Sequence, residues 1–131
     1  MRTELLLKFS FEASHSLAGY EVPHSHIWKL EFSIEGTPIE GRIVDIVTFR
    51  GRIQKLVDSL SHVYLNDSVK VDQEVRKFPT CETLSHFFAH ELREVLNQEY
   101  LPLNPTVRLS SVMIAICDLD GAEMGAVRLI P

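Results

Sequence analysis

Hydrophobic and polar residues alternate with period two over the first part of the chain. Leu5, Leu7, Phe9, Phe11, Ala13 and His15 hold the odd positions, and Lys8, Ser10, Glu12 and Ser14 fall between them. A second run places His24, His26, Trp28, Leu30, Phe32 and Ile34 at even positions against Ser25, Lys29, Glu31, Ser33 and Glu35. Period two marks a strand with one buried face, so both runs are predicted strands, joined by a loop marked by Gly19 and Pro23. The period then changes. Behind Asp45, a good N-cap, Phe49, Ile53, Leu56, Val57 and Leu60 recur at helical spacing, with Gly51 a local weak point. Thr80 is the predicted cap of a second helix, Glu82 favours its first turn, and Leu84, Phe87, Phe88, Leu92, Val95 and Leu96 form its apolar stripe. Pro102 and Pro105 end it. Two further strands are predicted near 106–118 and 123–130, around a turn at Asp120-Gly121. The order ββααββ implies an α+β fold, a four-stranded antiparallel sheet with two helices on one face.

Composition adds bounds. The 131 residues, 45% of them hydrophobic, fit one domain over 1–131 with a core that needs no disulfide. No apolar run reaches the length of a membrane span, and no secretory signal is evident at the N-terminus. Cys81 and Cys117 make no disulfide framework and fit a reducing cytoplasm. A net charge of −5 argues against nucleic acid or an anionic membrane as partner.

The candidate chemistry lies in the first two strands. His24 and His26 are two apart, so they face the same way, about 7 Å apart at Cα. His15 ends the first strand on its apolar face, and a hairpin returns it beside His24. Three neutral imidazoles at one point, with no obvious fourth protein ligand, match a zinc site with an open position. A solitary histidine at a core edge is ordinarily structural; three on apolar faces meeting at one loop point to a metal. His86, His90 and Glu94 also share a helix face, but away from the apolar stripe, so they read as a solvated surface.

At these residues the chain resembles the 6-pyruvoyl-tetrahydropterin synthase and 6-carboxytetrahydropterin synthase family. Phe11–His15 is similar to its first zinc-ligand segment and His24-Ser25-His26 to its His-Gly-His. Gly41–Asp45 resembles the opening of its first helix, His62–Asn66 its Asp-His-x-x-Leu-Asn, and Pro79–Glu82 its Pro-Thr-x-Glu. The resemblance implies the tunnelling fold and a zinc ion on His15, His24 and His26. It also implies a pterin derived from 7,8-dihydroneopterin triphosphate and a homo-oligomer, trimer or hexamer, with sites between subunits. It places Thr80 and Glu82 near the substrate and His62 in catalysis.

Three departures from the family pattern bear on the chemistry. Tyr20 stands where the family has its cysteine, and the neighbouring Glu21 gives Glu-x-x-His-Ser-His. That segment resembles the branch in which a glutamate replaces the cysteine and the side chain is removed, aldolase-fashion, to leave 6-hydroxymethyl-7,8-dihydropterin. Ser61 replaces the aspartate beside the catalytic histidine, leaving Asp58, one helical turn away, or the Ser61 hydroxyl to orient His62. Ile116 replaces the pterin-anchoring glutamate, leaving Asp118 or Glu82 as acids for that role. The alternatives are a 6-carboxytetrahydropterin synthase serving queuosine-type biosynthesis, which Tyr20 disfavours, and a zinc-holding oligomer without catalysis, which Ser61 and Ile116 favour.

Overall fold

The computed structural model describes residues 1–17 and 21–131. Gly19 and Tyr20 lie outside the described residues. The alternating runs form strands β1, Glu4–His15, and β2, His24–Glu35, paired antiparallel from Glu4↔Glu35 to His15↔His24. Strands β3, Arg108–Cys117, and β4, Glu123–Leu129, complete a sheet of order β1-β2-β3-β4. Every neighbouring pair is antiparallel, and the register shifts at Ser33/Ile34 and again at Ile116/Cys117. At the β3–β4 turn, Gly121 takes φ +88, a conformation that glycine adopts without Cβ strain.

Helix α1, Ile46–Asp58, starts where Asp45 accepts the Val47 N–H. It stops at Asp58; Leu60 follows in a turn yet is fully buried. A short helix α2, Gln73–Lys77, capped by Asp72, was not evident from periodicity, because five residues are too few to show a stripe. Helix α3, Cys81–Val95, opens on a reciprocal cap in which Thr80 Oγ1 accepts the Thr83 N–H and Thr83 Oγ1 accepts the Thr80 N–H. It runs on into one π-helical turn, Leu96–Tyr100, closed by Leu101 N–H to Leu96 C=O at 2.7 Å.

Both main helices cover the same face of the sheet, α1 against β1 and α3 across β3 and β4. That face carries the odd residues of β1 and the even residues of β2: Leu7, Phe9 and Phe11 beside Trp28, Leu30 and Phe32, all buried. Phe32 meets Phe49 of α1 edge-on at 5.9 Å, and Phe49 meets Tyr100 at 4.9 Å. Trp28 is fully buried, and its indole N–H donates to the Ala13 carbonyl at 3.1 Å, so its polar atom is satisfied. No helix among the described residues is long and apolar enough to cross a membrane.

Candidate metal centre

Strand geometry delivers the three histidines. His15 pairs directly with His24, and His26 lies one same-face step further along β2. Their ring centroids stand 4.7, 5.0 and 4.9 Å apart, each pair edge-on, with Trp28 packed beneath His15 at 5.2 Å. The site grades outward from a buried His15 through a half-buried His26 to an exposed His24.

The hydrogen bonds select one nitrogen from each ring. Nδ1 of His15 lies 2.8 Å from the Pro79 carbonyl, that of His26 3.0 Å from the Cys117 carbonyl, and that of His24 3.2 Å from the Val22 carbonyl. A carbonyl can only accept, so each neutral ring carries its proton on Nδ1 and keeps the Nε2 lone pair. This is how outer-shell partners orient metal-binding imidazoles. The ligand nitrogens lie within 4.8 Å of one another. Tetrahedral nitrogens at about 2.0–2.1 Å from zinc stand about 3.3–3.4 Å apart, within reach of small side-chain rotations. The donor set fits a divalent transition ion with a position left for water or substrate.

The loop after His15 is clamped from a distance. Residues 62–66 lie along the edge of β1, with Ser14 N–H donating to Val63 C=O and Leu65 N–H to Ser14 C=O. Asn66 holds Ser16 by both backbone groups, Oδ1 accepting its N–H at 3.0 Å and Nδ2 donating to its C=O at 2.8 Å. The Ser16 and Tyr64 hydroxyls meet at 2.7 Å. Pro79, Tyr64 and Asn66 were not legible as supports of the site, because local spacing does not report contacts across 48 to 64 residues.

Glu21 closes the same loop, its Oε2 accepting the Leu17 N–H at 2.6 Å, and its charge reaches His15. His62 takes φ +60 and leaves its ring exposed. Asp58 does not orient it: α1 ends at Asp58, so the helical i, i+4 spacing fails, and Asp58 Oδ1 accepts from Gln54 Nε2 at 2.8 Å. Thr80 is spent on the α3 cap, while Glu82 is exposed in the first turn of α3, next to the Pro79–Thr80 segment that holds His15. Ile116 packs against the core. Asp118 Oδ1 accepts the N–H groups of Asp120 and Ala122, so this oxygen builds the β3–β4 turn. Both cysteines are buried, and burial pushes the Cys81 thiol up to about 11, which keeps it protonated and unreactive at neutral pH. His86, His90 and Glu94 are exposed, as a solvated face requires. A hollow of about 550 Å³ opens between Lys8, Lys29, Glu31 and Glu123; the triad lies elsewhere, at the end of the sheet.

Burial holds the His15 imidazole below its ordinary 6.5, opposed by the hydrogen bond to Pro79 and aided by His24 and His26. A folded-state value below the unfolded one means that the unfolded chain takes up the proton more readily. The contribution of His15 to stability is therefore present above 6.5 and is lost as pH falls through its lowered value. We expect the melting temperature of the metal-free protein to drop between pH 7.5 and 5.5, and to drop less in His15→Gln. Equal drops would contradict this. Because ligation needs neutral rings, acid should also release the metal.

A family model described as 6-pyruvoyl tetrahydropterin synthase matches residues 4–118. The chain is 24% identical over 98 residues to a dihydroneopterin monophosphate aldolase of Pyrococcus furiosus, covering 73% of this chain and 80% of that protein. Its fold matches the 6-pyruvoyl tetrahydropterin synthase of Caenorhabditis elegans with a TM-score of 0.72 at 15% identity, covering 100% of this chain and 96% of that one. It matches the Plasmodium vivax synthase with a TM-score of 0.68 at 16% identity, covering 100% and 99%. Further matched structures of the Plasmodium vivax protein are mutants of a catalytic glutamate.

Proposed function

This chain belongs to the 6-pyruvoyl tetrahydropterin synthase family, and from that premise we propose that it is a zinc-dependent lyase that removes the side chain of a phosphorylated 7,8-dihydroneopterin. The product is 6-hydroxymethyl-7,8-dihydropterin. The observation that carries this reading is the set of three Nδ1-anchored imidazoles with Glu21 fixed at the same loop. The similarity to the dihydroneopterin monophosphate aldolase of Pyrococcus furiosus supports side-chain removal over the synthase reaction, and a monophosphate substrate alongside the triphosphate.

His15, His24 and His26 would hold the ion through Nε2. When bound, zinc supplies Lewis acidity that stabilises negative charge on side-chain oxygens. Glu21 accepts the proton of the 2′-hydroxyl. As that oxygen becomes a carbonyl, the C1′–C2′ bond breaks and its electron pair passes to C1′ and the conjugated pterin ring. Protonation at C1′ from an imidazolium, for which His62 is the candidate, completes the hydroxymethyl group. C2′ and C3′ leave as a phosphorylated two-carbon aldehyde. Glu82, exposed beside the Pro79–Thr80 segment, is the candidate acid to receive the pterin's amino edge, with Asp118, one oxygen of which is held in its turn, the alternative. His62 lies beside the edge of β1, and the family resemblance, which puts sites between subunits, would have it serve the metal site of a neighbouring copy in a trimer or hexamer.

Incubating zinc-loaded protein with dihydroneopterin monophosphate and, separately, triphosphate tests the reading by mass spectrometry of the products. The expected product from at least one is 6-hydroxymethyl-7,8-dihydropterin. A pyruvoyl or carboxy pterin, or no turnover at high protein concentration, would overturn it.

A further inference from the structure

We propose that Glu12 is the carboxylate that positions His62, the place the sequence leaves empty at Ser61. The inference deepens the lyase reading and rests on it for its catalytic consequence. Glu12 Oε2 stands 3.2 Å from His62 Nδ1. The same two residues are tied through the main chain, His62 N–H donating to the Glu12 carbonyl at 2.6 Å. The backbone bond therefore holds the ring beside the carboxylate.

The surrounding ladder fixes this geometry. Ser14 bonds both Val63 and Leu65, so residues 62–66 are locked in register beside the end of β1. His62 adopts φ +60, a left-handed conformation that costs a non-glycine residue energy and persists where neighbours over-determine it. An isolated surface ion pair contributes about 0–1 kcal/mol and orders little. This pair is also exposed, but the backbone bond holds the two residues side by side, which lowers the ordering cost left to the side chains.

Glu12 sits at an even position of β1, on the face away from the helices and from the metal ligand His15. A carboxylate 3.2 Å from Nδ1 would draw the neutral ring's proton to that nitrogen and leave the Nε2 lone pair outward. An unconstrained histidine side chain favours the opposite, Nε2–H, tautomer. Glu12 thus selects the form in which Nε2 can take up a proton and return it to a reacting carbon.

Long-range 1H–15N correlation on zinc-loaded, 15N-histidine-labelled protein reads the tautomer without any turnover. The wild type should show His62 protonated at Nδ1. Glu12→Ala should move it to the Nε2–H form while the signals of His15, His24 and His26 stay in place. In turnover, Glu12→Ala should lower kcat about ten-fold or more with KM little changed. The double variant with His62→Ala should fall no further than His62→Ala alone, and Glu12→Asp should recover part of the loss. A His62 tautomer indifferent to Glu12→Ala overturns the proposal even if the lyase reading stands. A shifted tautomer with wild-type kcat also overturns the positioning role. If no substrate turns over, the lyase reading fails and the tautomer still decides the dyad.

Discussion

His15→Ala is expected to yield a folded protein that does not retain zinc, with the proposed turnover lost alongside the metal. His15 is the buried member of the triad and the one whose Nδ1 bond, to Pro79, is shortest. Removing only an outer-shell partner typically costs about 10–100-fold in metal affinity; removing one of three ligands costs more, because two imidazoles leave the ion half-coordinated. His15 also packs on Trp28, so its truncation leaves a gap in the core. His24→Ala separates the two effects. His24 is exposed, and its loss should abolish zinc retention with the melting temperature of the apo-protein unchanged. Metal analysis of both variants after gel filtration checks this. One zinc per protomer retained in either variant would remove that residue from the ligand set.

Glu21→Gln is expected to lower kcat by about 10²–10⁴-fold, the range for losing a positioned general base, with zinc still at one per protomer. The amide keeps an oxygen to accept the Leu17 N–H, so the loop tie survives while the proton acceptor is lost. A change confined to kcat would identify an interaction made in the transition state; a rise in KM alone would point to binding. Unchanged kcat would remove Glu21 from the chemistry and leave the metal site intact.

Much of the fold was legible because period two and period 3.6 are local. Both alternating runs are strands, and Asp45 and Thr80 are the N-caps predicted for the two main helices. The triad was legible for the same reason: residues two apart share a face, and a hairpin returns His15 to His24. What the pattern could not show is where chain segments far apart in sequence meet. Pro79 and Asn66 reach the end of β1 from elsewhere in the chain. Asp58 is the instructive miss, because its spacing to His62 holds only on a continuous helix, and α1 ends at Asp58. The carboxylate beside His62 comes instead from β1, fifty residues earlier in the chain. Ile116 packs against the core as an apolar residue does, and the β3–β4 register shifts between it and Cys117. The acid two residues on is held by the turn, which no spacing rule foretells.

The most direct test of the account is a zinc titration of product formation. Protein stripped with chelator receives zinc in sub-stoichiometric steps in the presence of dihydroneopterin monophosphate or triphosphate, and 6-hydroxymethyl-7,8-dihydropterin is quantified at each step. The rate should rise linearly and break at one zinc per protomer. Equal rates in stripped and loaded protein, or full zinc occupancy on the three histidines with no hydroxymethyl product, would contradict it.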